Sequence, residues 1–286
     1  MRWVSWVICA FVVLGPVPRA FAQDYLDILR GALPVGPAAY SNWNGPYVGG
    51  AVGENWYGVD YTHTPTPYID DIIPLDANFS GIPLAQYPRL STFDTQAPVY
   101  GGFAGYNFQF ESAVVGVELG FNESSQSSSV VDSESHNYYI TANNSLYEAH
   151  YNVTTSASES INEYGELRAR FGWALGSFLP YTFVGVTYAQ INASSSVNVN
   201  YCSEPSPTPA PSNCNNPSGG NPGGNWTLSG QTTGKWYPGY SAGFGVDYAL
   251  WQNLFVRGEG QYIAFNAPFS IKLSAISARL GVGLKF

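Results

Sequence analysis

Apolar and polar residues alternate with a period of two over much of this chain, and no long stretch of period 3.6 interrupts them. Successive side chains of a strand point to opposite faces, so this alternation predicts strands with one apolar and one polar face. Bounded by turn residues, eight strands are predicted at about Tyr47–Tyr57, Val99–Phe110, Ala113–Asn122, Glu163–Ala174, Tyr181–Asn192, Trp236–Leu250, Asn253–Phe265 and Leu273–Phe286. Each is roughly 9–15 residues long, as a tilted strand crossing a bilayer requires.

The fourth segment is the clearest. Glu166, Arg168 and Arg170 fall on one face, and Leu167, Ala169, Phe171 and Trp173 on the other. A soluble sandwich would wet the charged face; a membrane barrel must turn it inward, because Arg or Lys facing lipid at mid-depth costs about 2–4 kcal/mol. The same alternation puts Glu118, Asp247, Arg257, Glu259, Arg279 and Lys285 on polar faces of their segments. Glu118, Glu166, Asp247 and Glu259 therefore share an interior with Arg168, Arg170, Arg257, Arg279 and Lys285. Charges of both signs in a narrow lumen can pair as they are buried, and eight strands enclose just enough room for side chains to fill. Aromatics near strand ends, among them Tyr47, Trp56, Tyr57, Tyr106, Trp173, Trp236, Tyr237, Tyr248, Trp251 and Tyr262, suit interfacial girdles.

Linker lengths give the topology. Glu111-Ser112, Leu175 to Pro180 and Trp251-Gln252 are tight turns. The linkers after the first, third and fifth segments run to about 40 residues each, unusual for compact soluble domains. They are rich in Ser, Thr, Asn, Pro and Gly. The rhythm predicts an all-β, eight-stranded antiparallel up-and-down transmembrane barrel over residues 43–286, with both termini in the periplasm and three long extracellular loops. A secreted soluble β-sandwich is the competing fold.

The start of the chain sets the compartment. Arg2, the apolar run Trp3 to Leu14 and Ala20-Phe21-Ala22 make residues 1–22 a signal peptide. At about 12 residues the run falls short of the roughly 20 that a membrane helix needs. Cys9 sits inside it behind bulky Ile8, where a lipid-modified cysteine is not expected. Residues 23–42 are expected to form a periplasmic N-terminal segment, either a free tail or one tucked into the barrel mouth. Only 11 % of residues are charged, against about 25 % in soluble domains. Of 11 Lys and Arg, Arg2 and Arg19 fall in the leader, leaving nine against 20 acidic residues, which argues against nucleic acid as a partner.

Several stretches resemble a known family. Trp43-Asn44-Gly45-Pro46-Tyr47-Val48-Gly49-Gly50, Gly105-Tyr106-Asn107-Phe108-Gln109, Val115-Gly116-Val117-Glu118, Tyr164 to Gly172 and Arg279 to Phe286 are similar to the small outer-membrane barrels of alphaproteobacteria, the porin-family or OmpA-like barrels. The resemblance implies an outer-membrane location and makes terminal Phe286 the signal read by the barrel-assembly machinery. It also implies surface antigens, some relatives being haemin binders. The Ser/Asn/Pro-rich linkers depart from the family pattern and leave any ligand open.

Candidate chemistry is sparse. Cys202 and Cys214 are the only cysteines after the leader and are expected to form a disulfide in an oxidising exterior. His63, His136 and His150 all fall in predicted linkers, at separations that match no compact ligand set. There is no G-x-S-x-G elbow, phosphate loop or metal motif. No catalytic residues, cofactor or metal are therefore expected, and the interior Glu and Arg read as a neutralised lumen. The expected partners are outer-membrane lipid and lipopolysaccharide, the assembly machinery, and a host surface or small molecule at the loops. A structural, surface-presenting protein is the leading expectation; a narrow solute pore and surface capture of haemin, for which loop tyrosines such as Tyr61, Tyr68, Tyr87, Tyr138, Tyr139, Tyr147 and Tyr151 are candidates, are its rivals.

Overall fold

Eight strands and one short helix account for the structure, a computed structural model that describes residues 42–72, 90–142, 145–205 and 223–286. The predicted signal peptide, the N-terminal segment up to residue 41, Tyr87 and Cys214 lie outside the described residues. The elements are β1 (Gly45–Asp60), α1 (Thr66–Ile72), β2 (Thr92–Phe110), β3 (Ala113–Ala142), β4 (Ser145–Trp173), β5 (Phe178–Pro205), β6 (Gly223–Ala249), β7 (Leu254–Asn266) and β8 (Lys272–Lys285). Each strand pairs antiparallel with its sequence neighbours, and β1 closes on β8 from Tyr47↔Lys285 to Asp60↔Lys272. Closure satisfies the backbone groups that an open sheet would leave bare in hydrocarbon. The tight turns match the prediction, with Glu111 (φ 54°) and Gly176 (φ 62°) supplying left-handed corners.

The outer face explains what solvent the barrel is built for. Val117, Leu119 and Phe121 on β3, Leu167 and Phe171 on β4, Val184 and Val186 on β5, and Ile276, Leu280 and Val282 on β8 are all exposed. A continuous apolar belt of this kind is untenable in water and suits lipid. Exposed aromatics bound it on both sides: Tyr106, Trp173, Phe178, Tyr248 and Trp251 near the tight turns, and Trp56, Tyr100, Tyr188, Trp236, Tyr240 and Tyr262 towards the other end. Tyr47, Tyr57 and Tyr237, predicted for these girdles, instead point inward, the first two buried and Tyr237 partly so against the core. Their parity is that of the lumen face, on β1 for the first two and on β6 for Tyr237.

The larger correction concerns the long linkers. β3 runs to Ala142 and β4 starts at Ser145, so the linker predicted between them is strand almost throughout; β5 and β6 likewise continue to Pro205 and from Gly223. Period two persists in these extensions. Ala149, Tyr151, Val153, Ala157 and Ile161 face inward between Asn152, Thr154, Ser156, Ser158 and Ser160. The outer face has become hydroxyl-rich because it meets water rather than lipid. Register shifts between Glu123/Gln126, Ile161/Glu163 and Ile191/Ala193 fall at one height across β3, β4 and β5. Such bulges sharpen twist. Above them β3–β6 stand as a four-stranded sheet, while β7, β8 and β1 stop at Asn266, Lys272 and Asp60.

Candidate functional site in the lumen and the sheet above it

The inward residues of β4 give the axial order of the interior. From the end that carries the tight turns they are Arg170, Arg168, Glu166, Tyr164, Ile161, Glu159, Ala157, Thr155, Val153, Tyr151 and Ala149, every one buried. Charge comes first, then apolar packing, then one isolated carboxylate, then apolar packing again.

The charged layer joins strands that are far apart in sequence. Glu118 on β3 pairs with Arg168, with Arg170 at 3.2 Å and with Arg257 at 2.8 Å. Asp247 on β6 pairs with Arg170 at 2.7 Å and Arg257 at 2.8 Å. Glu259 on β7 lies 2.7 Å from Arg168 and 2.6 Å from Arg279, and Glu166 lies 3.8 and 3.6 Å from the same two arginines. Four carboxylates thus meet four guanidinium groups, and the layer is formally neutral. Tyr47 and Tyr181 donate their hydroxyls to Glu118 and Glu259, each at 2.8 Å. Arg279 donates to Asn122 at 2.9 Å, and Arg168 to Gln261 at 3.2 Å. Charges taken out of water are tolerated only when so compensated.

Aromatic rings complete the layer. The guanidinium carbons of Arg170, Arg257 and Arg168 lie 3.8 Å over Tyr181, 4.1 Å over Phe103 and 4.4 Å over Phe183, a favourable placement over the negative ring face. Glycines on neighbouring strands make room for the rings: a Cβ at Gly245 would lie 2.5 Å from Tyr181, and one at Gly283 would run into Phe255. Beneath, Trp43, Tyr47, Phe103 and Phe255 close the mouth at the end with the tight turns. Lys285, predicted within the network, lies apart from it: its ammonium donates to the Asn42 carbonyl at 2.8 Å and sits 4.5 Å from the Trp43 ring. Its place at the last residue of β8 puts it beyond the reach of the carboxylates. The other eight predicted charges are brought together.

Above the charges, Tyr57, Tyr61, Tyr164, Ile161, Ile191, Ile263 and Phe265 form an apolar layer that spans β1, β4, β5 and β7. Higher still, α1 drops Ile69 and Ile72 against Tyr151, Val153, Val197, Val199 and Tyr201. The helix thereby lies against the inner face of the extended sheet. Between the two apolar layers sits Glu159, whose Oε1 accepts from Gln126 Nε2 at 2.7 Å and Ser128 Oγ at 2.9 Å. It lies above the lipid-facing belt, and burial without a compensating cation pushes its carboxyl up to about 7.

A model of the outer membrane protein beta-barrel domain matches residues 28–286. The chain belongs to that family. It is accordingly an outer-membrane protein of the Gram-negative envelope. In fold this outer-membrane barrel is similar to Neisserial surface protein A (11 % identity, 84 % of this chain and 97 % of that one, TM-score 0.35). It is similar also to Ail, the attachment invasion locus protein of Yersinia pestis (10 %, 85 % and 99 %, 0.31), and to the N-terminal barrel domain of Pseudomonas aeruginosa OprF (13 %, 85 % and 98 %, 0.34). The search of curated proteins found no match.

The three histidines of the barrel do not share a centre made from linkers. His136 stands on β3, 3.3 Å from Glu134, and His150 on β4, 3.0 Å from Asn137, whereas His63 follows β1 and contacts Thr62 at 2.9 Å. Extension of the strands moved the first two out of the predicted loops. Cys202 is buried near the end of β5, and its expected partner lies outside the described residues. Sequence reasoning missed the lumen rings Phe103, Tyr181, Phe183 and Phe255 and, higher up, Glu159 with its donors Gln126 and Ser128. Parity would have found Phe255, since it, Arg257, Glu259 and Gln261 occupy alternate positions of one strand.

Proposed function

We propose that this outer-membrane barrel is a structural, non-conducting envelope protein whose extended extracellular sheet is its recognition surface. The observation that carries the reading is the succession of fillings along the axis: the aromatic mouth, the neutral ion-pair layer, the apolar layer, and the sheet lined by α1. A conducting lumen needs a continuous wet path, and both apolar layers oppose one. A sheet that stands clear of the membrane, with hydroxyl and amide groups on its outer face, supports presentation to a host surface or a soluble ligand. Exposed Phe286, whose N–H donates to the Pro46 carbonyl at 3.0 Å, is proposed as the signal for the barrel-assembly machinery, with lipopolysaccharide as the lipid partner. A narrower kinship with alphaproteobacterial members rests on the motif at Trp43–Gly50.

The recognition part is tested by trimming the sheet. Glu123 and Glu163 are register partners, so a two-residue turn joining them removes the upper β3–β4 hairpin and spares the belt. The trimmed protein is expected to remain heat-modifiable in the outer membrane while cells carrying it attach less to host surfaces. Undiminished attachment would refute the role given to the sheet.

A further inference from the structure

Glu159 is the one buried carboxylate of the described interior that faces no cation. Its Oε2 has no hydrogen-bond partner, and neither has Oε1 of Gln126, although Gln126 Nε2 already donates to Glu159 Oε1. These two orphaned oxygens are the pair that a second hydrogen bond between an acid and an amide would join. Two lone-pair oxygens cannot bond to each other, but a proton on Oε2 makes one of them a donor. We propose that Glu159 is a proton-operated latch: as a neutral acid it completes a reciprocal pair with Gln126 that ties β4 to β3, and its ionisation loosens the extracellular sheet.

Burial with no cation nearby favours the neutral form and outweighs the two hydrogen bonds donated by Gln126 and Ser128, which favour the carboxylate. On β3 the neighbours are Gln126 and Ser128, neither of which titrates. The phenols of Tyr57 on β1 and of Tyr61 just after it approach, Tyr61 at 2.6 Å from Ser128 Oγ, and neither brings a positive charge. Ala193 is its register partner on β5, and Thr232 follows on β6. The cations of the lumen lie below Tyr164 and Ile161. Burial raises the carboxyl from 4.5 to about 7 in the closed sheet, so the stabilisation is complete below the ordinary glutamate range and is lost as pH rises through about 7. A shift of that size corresponds to an opening constant larger by on the order of 10²-fold at high pH. The sheet is therefore expected to be closed in mildly acidic surroundings and looser in alkaline ones.

The full-length barrel in detergent or vesicles is to be titrated from pH 5 to 9 by infrared spectroscopy and by amide exchange corrected for its intrinsic pH dependence. Expected is a protonated-carboxyl band that disappears near pH 7, with exchange in residues 126–139 and 146–161 rising over the same range. Glu159→Gln, which makes an amide–amide pair with Gln126, should lack the band and exchange slowly at every pH. Absence of the band at pH 6, or a band whose loss leaves exchange unchanged, would overturn the latch. Should Glu159→Gln fail to insert, the wild-type titration alone decides on the same two criteria.

Discussion

Replacing Glu118 by Gln tests whether the lumen is held by charge balance. Glu118 touches three arginines and accepts from Tyr47, and its loss leaves four guanidinium groups against three carboxylates. Breaking a buried network by removing one partner costs about 3–5 kcal/mol. Here the lower figure applies, because Arg168 keeps Glu259, and Arg170 and Arg257 keep Asp247. A loss of about 3 kcal/mol is therefore expected in urea unfolding of the folded barrel, read by the mobility difference between boiled and unboiled protein. Adding Arg257→Met to Glu118→Leu restores neutrality and leaves Arg170 with Asp247, so the double variant should lose much less than the two single changes together. Additive losses, or a Glu118→Gln variant within about 0.5 kcal/mol of the parent, would refute charge balance as the organising principle.

Gly283→Ala puts a methyl group into the Phe255 ring and is expected to cost about 1–3 kcal/mol through overpacking; pairing it with Phe255→Leu should recover most of the loss in the same gel assay, and no rescue would mean the cost lies elsewhere. Ile72→Asp places a charge in the fully buried contact of α1 with β4 and β5, so limited proteolysis near residues 66–72 should accelerate while heat-modifiability stays intact; unchanged cleavage would show that the helix is not held there by packing. Reduction of a Cys202–Cys214 bridge should change the mass on alkylation and loosen only the β5–β6 connection, by roughly 3 kcal/mol for so short a loop; two thiols titrating without reductant would remove the bridge.

The belt and the lumen were legible because both obey one rule along each strand. Leu167, Ala169 and Phe171 alternate with Glu166, Arg168 and Arg170, and lipid on one side with a narrow interior on the other leaves a single assignment. The extracellular sheet was hidden by its chemistry. In Ala149 to Ile161 the period of two is as strict as in the belt, but Asn152, Thr154, Ser156, Ser158 and Ser160 form the outer face, and a run of Ser, Thr and Asn reads as loop when lipid-facing apolar residues are sought. The lumen rings escaped for a related reason: Tyr47 and Tyr57 lie near strand ends, where tyrosine also serves the interface, and only their parity separates the two uses. Lys285 shows the limit of parity, which gives the face of a side chain but not the height at which it meets a partner.

Planar-bilayer recording of the purified, heat-modifiable barrel tests the filled lumen most directly. The account predicts no reproducible conductance steps from the parent protein, and none after trimming the upper β3–β4 hairpin, since the ion-pair layer and the aromatic mouth remain. Stable steps from the parent that vanish when Arg168 or Arg257 is replaced would mean that ions pass among these side chains, and would contradict it.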